Sequence, residues 1–203
     1  NIKGNITIAS GKTMNIAPLS NPSDSLVFNG TTQQSISGAG TFNITNTLTI
    51  QNKVVLNNAA GLVLNKDVTI PGTLVLLSGN ITTGANTLRL GTNTLILGTL
   101  ARTSGTIIGN FTRQFAPSVV SNVLFPVGTA TNYRPATISF TSNPFMGGTI
   151  TINHTDGTDG SDLSVPFLDG VYQIERRSNM FWTASSSFVD GVYDMSIDGN
   201  GQS

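Results

Sequence analysis

Residues 62–76 read LVLNKDVTIPGTLVL, a run of three apolar pairs, Leu62/Leu64, Val68/Ile70 and Leu74/Leu76, each six residues after the last. Spacing of i, i+2 puts both members of a pair on one face of a short strand. Asn-Lys-Asp and Pro-Gly-Thr, which separate the pairs, are turn formers. The stretch therefore reads as three strands and two corners. Residues 42–56, FNITNTLTIQNKVVL, carry Phe42, Ile44, Leu48, Ile50, Val54 and Leu56 at the same places 20 positions earlier. Leu88/Leu90 continue the offset, and Leu95/Leu97 follow after a one-residue insertion. Ile6/Ile8, Met14/Ile16 and Leu26/Phe28 extend the pattern less regularly toward the N-terminus. A three-strand unit of about 20 residues predicts a three-sided parallel β-solenoid, in which each rung buries its apolar face only against the next. The competing reading is a meander sandwich with coincidental spacing, and coincidence seldom keeps six positions in register.

Composition agrees with an all-β chain. Only 10% of the 203 residues are charged and the net charge is zero, against roughly 25% charged in ordinary soluble domains. Thr, Asn, Ser and Gly take the place of charge, a mixture that favours strands and tight turns over long helices. Nucleic acid is not expected as a partner, because its binding needs clustered Lys and Arg. Membrane insertion is not expected either, since no apolar run reaches the ~18 residues of a spanning helix. There is no cysteine, so no disulfide contributes.

The pattern changes near residue 105. Longer alternating runs follow, TIIGNFTRQF, YRPATISFTS, GTITINHT, GVYQIERRS and GVYDMSID, separated by Pro, Gly, Asn and Asp. That spacing is typical of an antiparallel β-sandwich, here expected to be Ig-like. The only tryptophan, Trp182, lies in this half, where large rings suit the space between two sheets. Two domains are expected: a solenoid over residues 1–106, and a sandwich over residues 107–203 that lacks its last strand.

As an ordered series these runs resemble a module of large secreted cell-surface proteins of the Bacteroidota and their relatives, associated with type IX secretion. Gly105, Ile107, Gly109 and Arg113 match its first piece. Phe125 to Gly128 with Tyr133, Arg134 and Pro135 match the second, and Trp182 with Thr183 the third. The resemblance covers about residues 85–198. It implies an extracellular or cell-surface location, a role in adhesion or surface architecture, and structural rather than catalytic duties for the matching residues.

No catalytic constellation stands out, and the chain is not expected to be an enzyme. A polysaccharide-cleaving β-helix needs carboxylates in register, yet residues 1–106 contain only Asp24 and Asp67. His154 is the only histidine and Glu175 the only glutamate; His154, beside Thr155, reads as a solvated loop residue. DGTDGSDL spaces Asp156, Asp159 and Asp162 three apart, which could bring three oxygen ligands to Ca²⁺. The plainer reading is that turns prefer Asp and Gly. Arg176 and Arg177 follow Glu175 and point to opposite faces of a strand, so they do not make one anion site.

The solenoid's outward positions suggest a contact surface. Thr49, Thr69 and Arg89 face solvent on one side, whereas Val55, Val75 and Ile96 would stack as an apolar stripe on another. Strand patterns reaching both ends of the sequence add unpaired backbone, an invitation for other copies to pair by strand addition. The leading expectation is a structural segment of an exported bacterial surface protein: a stalk, an adhesin or a fibre subunit whose partners are other copies or other surface proteins. A glycan-binding module is the alternative. Exposed planar aromatics would favour it, with Phe181 and Trp182 on opposite faces as the discriminating pair.

Overall fold

The computed structural model describes residues 1–17, 25–45, 52–142, 144–157, 161–177, 179–188 and 190–198. Among them there are strands and turns and no helix. The first turn of a parallel β-solenoid holds β1 (Ile6–Thr7), β2 (Thr13–Ile16) and β3 (Ser25–Phe28). The second holds β4 (Gln34–Ser37), β5 (Thr41–Ile44) and β6 (Lys53–Asn57), and the third β7 (Leu62–Leu64), β8 (Val68–Ile70) and β9 (Thr73–Ser78). In the fourth, β10 (Ile81–Leu90) runs along two sides and β11 (Thr99–Arg102) forms the third. Inward pairs such as Val54/Leu56, Leu74/Leu76 and Leu88/Leu90 are buried in one aliphatic ladder. Its residual void is about 10 Å³, room for no more than one water.

The 20-residue offset holds between the second and third turns on one side, Val54 beside Leu74, and between the third and fourth on another, Val68 beside Leu88. Elsewhere it is longer. Leu26 pairs with Val54, 28 residues on, and Leu74 with Leu100, 26 residues on. Gln34 and Ile36, not Phe42 and Ile44, lie beside Leu62 and Leu64. Phe42 and Ile44 instead pair with Met14 and Ile16, and β5 packs against β8. Leu48, Thr49 and Ile50 lie outside the described residues.

A polar residue at an inward position causes the misreading. Gln34 is buried, and its amide donates to the carbonyls of Ile2 and Gly4 while its oxygen accepts from Gly30 N and Asn58 Nδ2. All its main polar capacity is met, so it occupies the core at little cost and is invisible to a search for apolar pairs. The fourth turn departs for another reason. Residues 92–98 close a tight loop in which Asn93 Oδ1 accepts from Leu95 N and Ile96 N. Leu95 and Leu97 are consequently not a rung strand; Leu100 takes that place.

The remaining strands are β12 (Ile107–Phe115), β13 (Val123–Phe125), β14 (Ala136–Phe140), β15 (Gly148–Thr155), β16 (Ser161–Asp169), β17 (Tyr172–Arg177), β18 (Phe181–Ser186) and β19 (Tyr193–Ile197). β12 belongs to both halves. One edge pairs parallel with β10, and the other pairs antiparallel with β15, which pairs in turn with β18. A second antiparallel sheet, β13-β14-β19, faces it. Phe111 and Phe115 of the first sheet meet Phe125 and Phe140 of the second, with ring centroids 5.3 to 6.4 Å apart. β16 and β17 pair only with each other among the described strands. The buried side chains of solenoid and antiparallel half form one cluster, from Ile6 to Ile152.

Candidate ligand groove

A partly buried polar cluster forms where β12 and β15 part. Their pairing runs from Phe115/Gly148 to Phe111/Ile152 and stops there. Beyond that point Ile107 N donates to Pro126 O, and the segment after Pro126 enters the opening. That segment turns back on itself through Thr129 N to Asn132 O and Arg134 N to Val127 O. Gly128 is needed in it, because a Cβ there would lie 2.2 Å from Asn132 O.

β15 alternates Ile150, Ile152 and His154 inward. His154 is therefore not a solvated loop residue: it is 5% exposed, lies in the strand, and packs on Trp182 with ring centroids 4.7 Å apart. Trp182 Nε1 donates to Arg134 O at 3.0 Å. Asp156 closes the cluster. Its Oδ1 is 3.7 Å from both Arg134 Nε and His154 Nε2, while Oδ2 accepts from Asn132 Nδ2 at 2.6 Å and Thr129 Oγ1 at 3.5 Å. Burial pushes the His154 imidazole below its ordinary value of 6.5; Asp156 opposes that shift and Arg134 adds to it. The ring is thus neutral at neutral pH.

Two neighbours fix the frame. Arg113 reaches across the core so that Nη1 donates to Leu124 O, and burial lowers its pKa to about 10, still protonated at neutral pH. Arg102 of the solenoid stacks over the Tyr133 ring at 3.7 Å and donates to Gly105 O. The cluster is therefore held from both halves.

In front of it lies a groove of about 350 Å³, floored by Thr82, Gly84, Ile108 and Gly109 and walled by Gly128, Thr129 and Asn153 to Asp156. A second recess of about 190 Å³ shares Thr82 and Ile108 and runs on to Gly61 and Asn80. A separate apolar depression of about 410 Å³ lies between β18 and β19, lined by Met180, Phe181, Trp182, Met195 and Ile197. The first groove has a mostly apolar lining, among which Thr82, Asn153, Thr155 and Asp156 offer hydrogen-bonding groups.

Of the three aspartates proposed for Ca²⁺, Asp156 is committed to Asn132, Thr129, Arg134 and His154. Asp159 lies outside the described residues, and Asp162 sits in β16 opposite Arg176. The apolar stripe takes a different form. Val55 and Val75 do pair, but Val55 is 8% exposed and the next position is Ala101, with Ile96 turned into its loop. Asn132 and Thr129 carried no site signal in the sequence, and Arg134 was marked only as part of the YRP run, with a structural duty. No family model, curated protein or solved structure matches the chain.

Proposed function

We propose that the chain is a non-catalytic structural segment of an exported bacterial surface protein, serving as a stalk, an adhesin or a fibre subunit. The observation that carries this reading is β12, one strand shared by solenoid and antiparallel half, which leaves no linker at which the two could hinge. The antiparallel half is read as an Ig-like sandwich on the strength of its two facing sheets and aromatic core. Contact with other copies or other surface proteins has its support at one end. There Leu95, Val119, Phe145, Met146 and Val192 are exposed on loops that touch one another through Phe145 N to Asp190 Oδ1, Phe140 N to Val120 O, and Gly147 against Thr94. Exposed apolar side chains gathered in this way mark interaction surfaces more often than scattered ones do.

Protease treatment of intact producing cells, followed by immunogold electron microscopy, tests the location. Label on the outer surface that protease removes is the expected result, and protein recovered only from the cytoplasm would sink the reading. A glycan-binding module is the second reading, favoured by Phe181, which is 51% exposed beside the half-buried Trp182.

A further inference from the structure

We infer that the groove at the parting of β12 and β15 binds a neutral oligosaccharide. The inference keeps the ligand class of the glycan-binding reading but places the site in this groove and not at the Phe181 surface, and it depends on neither export nor assembly. Charge decides the ligand class first. Among the described residues no Lys or Arg lines the groove or the recess that continues it, so a phosphate, a sulfated chain or another polyanion finds no counter-charge there. Asp156, the one carboxylate among the described lining residues, has Arg134 beside it at 3.7 Å, which removes the attraction for a cationic ligand.

What remains is a mostly apolar lining with a few neutral hydrogen-bonding groups, the usual make-up of a small-molecule site. Thr82 and Thr155 each bring a hydroxyl that donates and accepts, and Asn153 brings an amide that does both. Vicinal sugar hydroxyls, which also donate and accept, match that set. Ile108, in outward register with Thr82, gives the floor an aliphatic spot against which the C–H face of a pyranose can lie. Gly84 and Gly109 keep the floor at backbone height. Size points beyond a single sugar. The groove of about 350 Å³ stands at the lower limit of small-molecule sites, roughly 300 Å³, and the contiguous recess lengthens it across the solenoid turns.

The wall behind the groove is a packed polar cluster. His154 is 5% exposed, and its Nε2 and Arg134 Nε both lie 3.7 Å from Asp156 Oδ1. This cluster sets the position of the outward-facing Asn153 and Thr155, which are the groups left to meet a ligand.

The experiment uses the full 203-residue chain, isotope-labelled for amide NMR and titrated separately with maltotriose, cellotriose, mannotriose and xylotriose to millimolar concentration. At least one sugar should give saturable shifts at Gly84, Gly109, Thr129 and Thr155. Asn153→Ala and Thr155→Ala, both on the outward face of β15, should each weaken binding by about tenfold with the rest of the spectrum unchanged. Phe181→Ala, in the separate apolar depression, should leave affinity as it was. No saturable shift with any of the four sugars overturns the proposal. Binding that survives both groove variants but is lost in Phe181→Ala also overturns it, while leaving the glycan reading standing at the other surface. Cell-surface labelling reads out independently, so failure of the structural reading would not be mistaken for failure of this one.

Discussion

Leu64 and Val63 are neighbours in β7 with opposite surroundings. Leu64 is buried between Ile36 and the interior, whereas Val63 faces outward between Ser35 and Thr82. Leu64→Asp would place an unpaired carboxylate in the aliphatic ladder at a cost of about 4 kcal/mol or more. Val63→Asp should cost about 1 kcal/mol or less, since water reaches that side. A urea melt of each variant checks the pair, and equal losses would contradict the register. His154 sets the pH response. Its folded pKa lies below the unfolded value of 6.5 because burial disfavours the cation, so the unfolded chain binds the proton more readily. Its contribution to stability is accordingly complete above 6.5 and is lost as pH falls from there toward the folded value. Melting temperature should fall as the pH drops below 6.5, and His154→Gln should flatten that fall. An unchanged slope in the variant would place the acid sensitivity elsewhere.

At the level of the element, the corners carry as much information as the strands. Gly79 joins β9 to β10 with φ of +83°, and a Cβ there would lie 1.8 Å from Asn58 O in the turn below. Gly84, in the irregular middle of β10, also has positive φ, +57°, but nothing lies within 4 Å of its missing Cβ. Gly79→Ala should therefore cost about 3 kcal/mol or more, strain and collision together, and Gly84→Ala about 1 kcal/mol from strain alone. Thermal melts of the two proteins read the difference directly, and equal costs would mean that the stacked corners yield. The loop between β15 and β16 makes a further case. Asp156 is already engaged by Asn132 and Arg134, so EDTA should leave the melting temperature unchanged, and a fall on chelation would instead support the calcium reading. These elements also show what the sequence could disclose. Alternation exposed strands such as β6, β7 and β9, because their inward residues are all apolar. It missed β4, whose inward Gln34 is satisfied by partners up to 32 residues away, and it placed a strand at Leu95/Leu97, where Asn93 makes a loop. For the groove, Asp156 and His154 were visible as residue types. Their meeting with Arg134 and Asn132 was not, because it depends on where β12 and β15 separate.

For the whole molecule, the decisive feature is that the expected boundary between residues 106 and 107 falls at the start of β12, a strand with neighbours on both sides. Domains that fold independently have their own cores and few contacts across the linker. Here Ile107 and Phe111 enter the same buried cluster as Leu62 and Leu88, and Arg102 is clamped over Tyr133. Unfolding the antiparallel half alone would uncover the edge of β10 and the end of the ladder. Unfolding the solenoid alone would strip β12 of its parallel partner. Either partial state exposes a large apolar surface, so both should be scarce and the chain should melt in one step. Trp182, the only tryptophan, reports the antiparallel half through its packing on His154, and far-UV circular dichroism reports all strands. The two signals should share one urea midpoint. Leu64→Ala, deep in the solenoid, should lower the Trp182 midpoint by the same amount as the dichroism midpoint, at a cost of about 3 kcal/mol. If that substitution shifted only the dichroism and left the Trp182 transition in place, the two halves would be energetically separate, and the rigid connection from which the structural role is argued would be lost.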